Sequence, residues 1–201
     1  MKDWTGNKKS VLVTTSALHQ SDAVREENDF YATEPEAIDR LLAVCSMPKD
    51  KTIWECACGN GNLSKRLEEL GFSDVVSTDL VDRGYGVGGV NFLTDFSEEG
   101  SFDGTILTNP PYRYAVEFCK QALKLVSVGN RVYMFLRIQF LETKKRAEWF
   151  RTGKSGLKTV YVFGERIGCW INNQKKGSSA QAYCWFEFEK GYEGEVTVKW
   201  L

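Results

Sequence analysis

The chain has 201 residues, 42% of them hydrophobic and 13% aromatic, with a formal net charge of −1. That is apolar material for one substantial core and too little length for two full domains. No apolar run approaches the roughly 18 residues that span a bilayer, and the start Met1-Lys2-Asp3-Trp4 lacks a secretory core, so a cytoplasmic protein is expected.

Residues 1–28 are polar and weakly patterned and read as an N-terminal arm, leaving 29–201 as a single domain. Ala37 to Val44 has helical spacing, with Thr33 as a candidate cap and Pro35 as an early helical residue. Thr52 to Ala57 reads as a strand that runs into Cys58-Gly59-Asn60-Gly61-Asn62 and then a helix, Leu63 to Leu70. A second strand, Val75 to Thr78, ends at Asp79, and a short third one is expected near Val90 to Leu93. Gly104 to Leu107 is apolar and β-rich. A helix over Val116 to Leu125, a strand over Arg131 to Leu136 and a basic helix over Leu141 to Arg151 follow. Two further strands, Thr159 to Phe163 and Tyr183 to Phe188, flank a polar loop, Gly164 to Gln181. Strands alternating with helices predict a mostly parallel, doubly wound α/β sheet.

The strand at Gly104 to Leu107 ends in Asn109-Pro110-Pro111-Tyr112. Two prolines cannot donate to a ladder, so the chain must leave the sheet there. What remains is an amide, proline-fixed carbonyls and an aromatic ring at a strand's carboxyl end, where ligands bind in open α/β sheets. Such a tip suits an exocyclic or amide nitrogen, whose delocalised lone pair makes it a poor nucleophile. The Asn109 side-chain oxygen and the Pro110 carbonyl can take its two hydrogens and aim the lone pair at an electrophile, while Tyr112 offers a stacking face. No covalent intermediate is needed, so none of the six cysteines has to act as a nucleophile. Cys56-x-Cys58 lacks the second pair that a zinc site requires.

Glu55-x-x-x-Gly59-x-Gly61 follows a strand and opens a helix, the context of a nucleotide-binding glycine loop. The third glycine of the dinucleotide fingerprint is replaced by Ser64, which disfavours a pyrophosphate. Asp79, one βα unit later, is placed for ribose hydroxyls. Charge is divided unevenly: residues 113–190 hold 15 Lys and Arg against 6 Asp and Glu, and the remainder 11 against 21. A basic second half suits a polyanion, with solvated helix faces as the alternative.

In chain order, Phe30-Tyr31-Ala32-Thr33-Glu34-Pro35, Glu55 to Gly61, Asp79 and Asn109 to Tyr112 resemble the S-adenosylmethionine-dependent amino-methyltransferases, above all the DNA N6-adenine methyltransferases. Trp4 to Lys9, Arg83 to Gly86, Phe140 to Glu142 and Ala182 to Phe186 resemble a compact group of these enzymes common in phages and prophages. The motif order resembles the gamma arrangement. The resemblance implies a Rossmann-like class I methyltransferase fold with an antiparallel last strand, S-adenosylmethionine as cofactor and DNA as partner, with RNA possible. It implies that Tyr31 and Thr33 meet the methionine carboxylate, that Glu55, Gly59 and Gly61 line the methionine and sugar, and that Asp79 binds the ribose. Asn91, beside Phe92, stands where the family usually has an acid that reads the cofactor adenine, with Asp95 as a nearby substitute. The resemblance implies that Asn109, Pro110, Pro111 and Tyr112 form the catalytic tip, which would hold the target amine.

Trp170, in the loop between the last two strands, is the candidate second aromatic over a flipped base, or else an aromatic packed on the sheet edge. Lys175 and Lys176 in the same loop suit phosphates or plain solvent, and Arg137, Lys144, Lys145 and Arg146 are further candidates for a nucleic-acid path. Only the 164–181 loop and the N-terminal arm are available for target recognition, so specificity is expected to be short or loose, or supplied by a partner. Three readings stay open: adenine methylation in DNA, the same chemistry on RNA or a protein glutamine, and a non-catalytic DNA-binding or defence-evasion protein on this fold.

Overall fold

A computed structural model describes residues 32–167, 169–170 and 181–201. The elements in chain order are β1 (Ala32–Thr33), α1 (Glu36–Val44), β2 (Ile53–Glu55), α2 (Asn62–Glu69), β3 (Val75–Ser77), β4 (Thr105–Thr108), α3 (Ala115–Leu125), β5 (Arg131–Arg137), α4 (Lys144–Arg151), β6 (Leu157–Val162), β7 (Cys169–Trp170), β8 (Tyr183–Glu189) and β9 (Thr197–Trp200). Among the described residues, seven strands form one sheet in the order β3-β2-β4-β5-β8-β6-β9, and β1 and β7 form a separate ribbon. β3, β2, β4 and β5 run parallel, and β8 is antiparallel to both of its neighbours. β8 is the strand expected last from the sequence. Beyond it the chain adds β9, which returns parallel to β6.

The centre of the sheet is buried on both faces, which is why β5 reads as a continuous apolar run. On one face Ile106, Val132, Met134, Leu136, Phe186 and Phe188 meet Phe118, Cys119 and Ala122 of α3, with Trp149 and Phe150 of α4 at the margin. On the other, Leu107, Tyr133, Phe135, Tyr183 and Trp185 meet Ile38 and Leu41 of α1 and Leu63 and Leu67 of α2. The Trp185 indole donates to Ala37 O at 2.8 Å and fixes α1 across β8.

Three sequence expectations need correction. Val90 to Leu93 is a turn: Asn91 N donates to Asp95 Oδ2 (2.8 Å) and Asn91 Oδ1 accepts from Leu93 N (3.1 Å), which diverts the backbone from any ladder. Thr33 is not the cap of α1, whose N-terminus falls at Pro35 without a side-chain cap bond, because Thr33 is taken into β1. The basic helix begins at Lys144, not Leu141, since Ile138–Leu141 forms a 3-10 turn. Arg146 holds that turn by donating to Phe140 O (2.7 Å) and Gln139 O (3.1 Å).

Candidate active site

Chain order along the sheet reverses beside β2: β3 lies on one side of it and β4 on the other. At such a switch point the loops after neighbouring strands part and leave a crevice at their carboxyl ends. A cavity of about 480 Å³ lies there, lined by Thr33, by Glu55 to Asn60, by Asp79 and Arg83, by Val90 to Thr94, and by Asn109, Pro111, Arg113 and Tyr114.

Glu55, at the end of β2, is buried. It accepts from Ser64 N at 3.0 Å and from the Ser64 hydroxyl, which in turn accepts from Ser77 Oγ at 2.7 Å. These bonds tie β2, the first turn of α2 and β3 together behind the glycine loop. Burial pushes the Glu55 carboxyl up to about 8, against the opposing pull of its Ser64 bonds. Glu55 is therefore largely protonated at neutral pH.

Gly59 and Gly61 divide their work. Gly59 takes φ 56 and lines the cavity, and its N donates to Asp79 Oδ2 at 2.8 Å. Gly61, at φ 80, is not among the lining residues; a Cβ there would stand 2.2 Å from the Tyr85 ring. Its smallness serves packing under Tyr85 and the entry to α2. Asp79 Oδ1 accepts from Val81 N at 2.9 Å and lies 3.5 Å from Arg83 Nη1. The carboxylate is thereby held at the cavity wall by backbone donors on both oxygens, with lone pairs left for a ligand hydroxyl. Arg83 was not singled out from the sequence, although its position four residues after Asp79 was a usable signal.

Asn109 follows β4, and its Nδ2 donates to Thr33 Oγ1 at 2.9 Å. Thr33 is buried, and its carbonyl accepts from Asn62 Nδ2 (3.3 Å), the first residue of α2. One threonine thus joins the tip, the glycine-loop helix and the β1–β7 ribbon. The ribbon pairs Ala32 with Trp170 and Thr33 with Cys169, so the Trp170 backbone lies opposite the residue that precedes Thr33, the partner of Asn109. Tyr31, Lys175 and Lys176 lie outside the described residues.

The rest of the tip is less uniform than the sequence suggests. Pro110 is buried, and Pro111 lines the cavity while its carbonyl accepts from Tyr114 N (2.9 Å). The half-buried Tyr112 ring lies outside the lining, with the Arg137 guanidinium 5.0 Å from its centroid and the Tyr183 ring at 5.9 Å. Phe92 reaches the cavity from a buried position against Trp54 (5.3 Å) and Phe118 (5.1 Å). Asn91 also lines it, its oxygen serving the turn to Leu93. Arg113 and Tyr114 were not expected; the Arg113 guanidinium stands 4.6 Å from the Tyr114 ring at the exposed mouth. Of the other basic candidates, Arg146 is committed to its turn, whereas Lys144 and Lys145 are exposed.

Two thiols, Cys56 and Cys58, border the cavity. Burial, reinforced by the Glu55 carboxyl, raises both, Cys58 to about 12. They are protonated at neutral pH and unsuited to nucleophilic attack.

The sheet order, the reversed strand β8 and the crevice at the ends of β2, β3 and β4 define the Rossmann-like fold of class I S-adenosylmethionine-dependent methyltransferases. No protein-family model matches the chain, and no curated protein matches it. Solved structures do. A candidate class I S-adenosylmethionine-dependent methyltransferase from Listeria monocytogenes superposes with a TM-score of 0.60 at 14% identity, covering 94% of this chain and 71% of that one. A modification subunit of a candidate type I restriction enzyme from Vibrio vulnificus gives 0.58 at 14% identity, over 93% of this chain and 49% of that subunit. The type IIG restriction endonuclease BpuSI gives 0.60 at 15%, over 90% of this chain and 28% of that one. The chain therefore spans about half of the Vibrio subunit and a smaller share of BpuSI. Likeness at these identities establishes the fold. Among the described residues no helix is long and apolar enough to cross a membrane.

Proposed function

We propose that this chain transfers a methyl group from S-adenosylmethionine to the N6 amine of adenine in DNA. The observation that carries the reading is the anchored Asn109 amide on the wall of the same cavity that holds Gly59 and Asp79. The cavity suits the cofactor in size and chemistry: about 480 Å³ is ordinary for a small-molecule site. It offers the Asp79 carboxylate for a diol, the Gly59 loop for close backbone approach, and apolar walls from Leu63, Val90 and Phe92. When bound, S-adenosylmethionine supplies a methyl group on a sulfonium centre, an electrophile that needs an aligned nucleophile and no metal.

The residues of this chain provide the alignment. Asn109 Nδ2 is engaged by Thr33 Oγ1, and the amide oxygen, buried in this structure, is the atom proposed to accept an amine hydrogen once the target base enters. The Pro110 carbonyl is the proposed second acceptor. Holding both hydrogens localises the nitrogen lone pair, and the proton released after transfer leaves to solvent through the mouth at Arg113. An adenine amine reaches this site only if its base leaves the duplex, at a cost of a few kcal/mol. Tyr112, already flanked by Arg137 and Tyr183, and Trp170 are the proposed stacking partners, and Arg113, Lys144, Lys145, Lys175 and Lys176 the proposed phosphate contacts.

The test is transfer of a labelled methyl group by the purified chain to DNA, RNA and protein in parallel. Label in DNA adenine is expected. Asn109→Ala should lower turnover by about 10²–10³-fold while cofactor affinity is retained. Labelling of RNA or protein alone would refute the substrate, and full turnover by Asn109→Ala would refute the role of the tip.

A further inference from the structure

The far edge of the sheet carries a strand that the candidate active site does not use. β9 pairs with β6 through Thr159↔Thr197, Val160↔Val198, Tyr161↔Lys199 and Val162↔Trp200, and among the described residues its other side is an open edge. Leu201 N donates to Val162 O (2.9 Å), and Leu201 O accepts from Gly164 N (3.2 Å). Odd-numbered residues therefore turn their backbone groups toward β6, and by alternation Val196, Val198 and Trp200 turn theirs outward. The side chains of these three are exposed at 44%, 50% and 68%. They share the sheet face of Val160 and Val162, so the apolar surface of the core runs on to an unpaired edge. Native sheets usually blunt such an edge with a charged side chain, a bulge, a proline or a cover, and the charge that β9 carries is Lys199.

We infer that β9 is a self-association edge. Two copies of this chain pair β9 against β9, antiparallel, about a two-fold axis at Thr197, and the sheet continues from one copy into the next. The charge pattern about that axis is self-complementary. With Thr197 opposite its own copy, Val196 faces Val198 of the second copy and Glu195 faces Lys199 of the second copy. Symmetry repeats both pairs. The valine pairs fall at hydrogen-bonded positions, where the outward backbone groups are. The Glu–Lys pairs and the threonine pair fall at non-hydrogen-bonded positions, where side chains approach most closely.

Other registers fail on the same observations. A shift that sets an odd residue opposite an even one matches outward groups with inward ones. Centring on Val198 sets Glu195 against Leu201 and Lys199 against Thr197, losing both ion pairs. Centring on Val196 needs a straight strand through Gly194, where the chain bends. The Tyr192 hydroxyl, donating to Glu195 O at 2.8 Å, fixes that bend just before the pairing segment.

Sedimentation equilibrium of the purified chain tests this. The wild type is expected to be a dimer. Glu195→Lys and Lys199→Glu each place like charges opposite one another twice, and each should weaken the dimer by about tenfold or more. The double exchange Glu195→Lys/Lys199→Glu restores the pairs with their signs reversed and should recover the wild-type dissociation constant. Circular dichroism should show all three variants folded, because both positions are exposed. A monomeric wild type overturns the inference, as does a dimer that the single reversals leave intact or that the double exchange fails to restore.

Discussion

The bond from Asn109 Nδ2 to Thr33 Oγ1 does more for the proposed chemistry than any feature of the tetrapeptide alone. An isolated asparagine presents either end of its amide; the bond from Nδ2 to Thr33 Oγ1 holds the group in place with its oxygen on the other side. Thr33→Val keeps the shape and removes that acceptor, so kcat should fall about tenfold, the worth of one net hydrogen bond, with Thr33→Ser restoring it. A raised KM for the methyl donor with kcat intact would instead put the hydroxyl on the cofactor. Glu55 makes a pH prediction. Its carboxyl sits near 8 in the folded protein against an ordinary 4.5, so the folded state holds a proton that the unfolded state has released in this window. Its contribution to stability is complete below the lower value, declines as pH rises between the two, and is lost above the higher one. Glu55→Gln abolishes that decline, so the wild-type melting temperature should drop relative to the variant as pH rises from about 5 to about 8.5. Parallel profiles would contradict the buried, protonated carboxyl. Asn109, Gly59 and Asp79 were legible in the sequence because each lies just beyond a strand that announces itself, β4, β2 and β3 respectively. The Thr33 contact was not, since it joins residues 76 apart in sequence through a ribbon only two residues long.

Among the elements, the glycine loop shows where motif reading stops. Gly61 matches the pattern, yet it faces Tyr85 rather than the cavity, so Gly61→Ala should act on stability first. A φ of +80 costs an L-residue about 1–2 kcal/mol. For a chain of this size that lowers the melting temperature by roughly 2–8 °C before any clash with the ring is added. Calorimetry of Gly61→Ala beside Gly61→Ala/Tyr85→Ala separates the two contributions; the double variant should recover the clash and not the φ cost. The strands of the sheet centre were readable because burial on both faces concentrates apolar residues in β4, β5 and β8. Val90 to Leu93 misled because Phe92 and Leu93 are apolar for packing, while Asn91 and Asp95 carry the backbone bonds. β9 escaped notice because all four of its residues are exposed, so no core-facing pattern marked it against the polar run before it.

For the whole molecule, the topology gathers residues from five separate segments at one end of the sheet and leaves an open edge at its side. The doubly wound sheet was predictable from alternating strands and helices. The reversal beside β2 that opens the crevice is a property of strand order, which no local pattern encodes. The basic second half is only partly spent at the cavity: Arg113 lines it, Arg137 sits over the Tyr112 ring outside the lining, Arg146 braces a turn, and Lys158 pairs with Glu189 at 2.6 Å. Charge alone therefore does not decide the substrate, and the target base must be identified chemically. The decisive measurement is mass-spectrometric nucleoside analysis of DNA incubated with the purified chain and S-adenosylmethionine. N6-methyladenine is expected in DNA treated with the wild type and none above background with Asn109→Ala. DNA whose adenine stays unmodified under conditions where the chain methylates another polymer would contradict the proposed function.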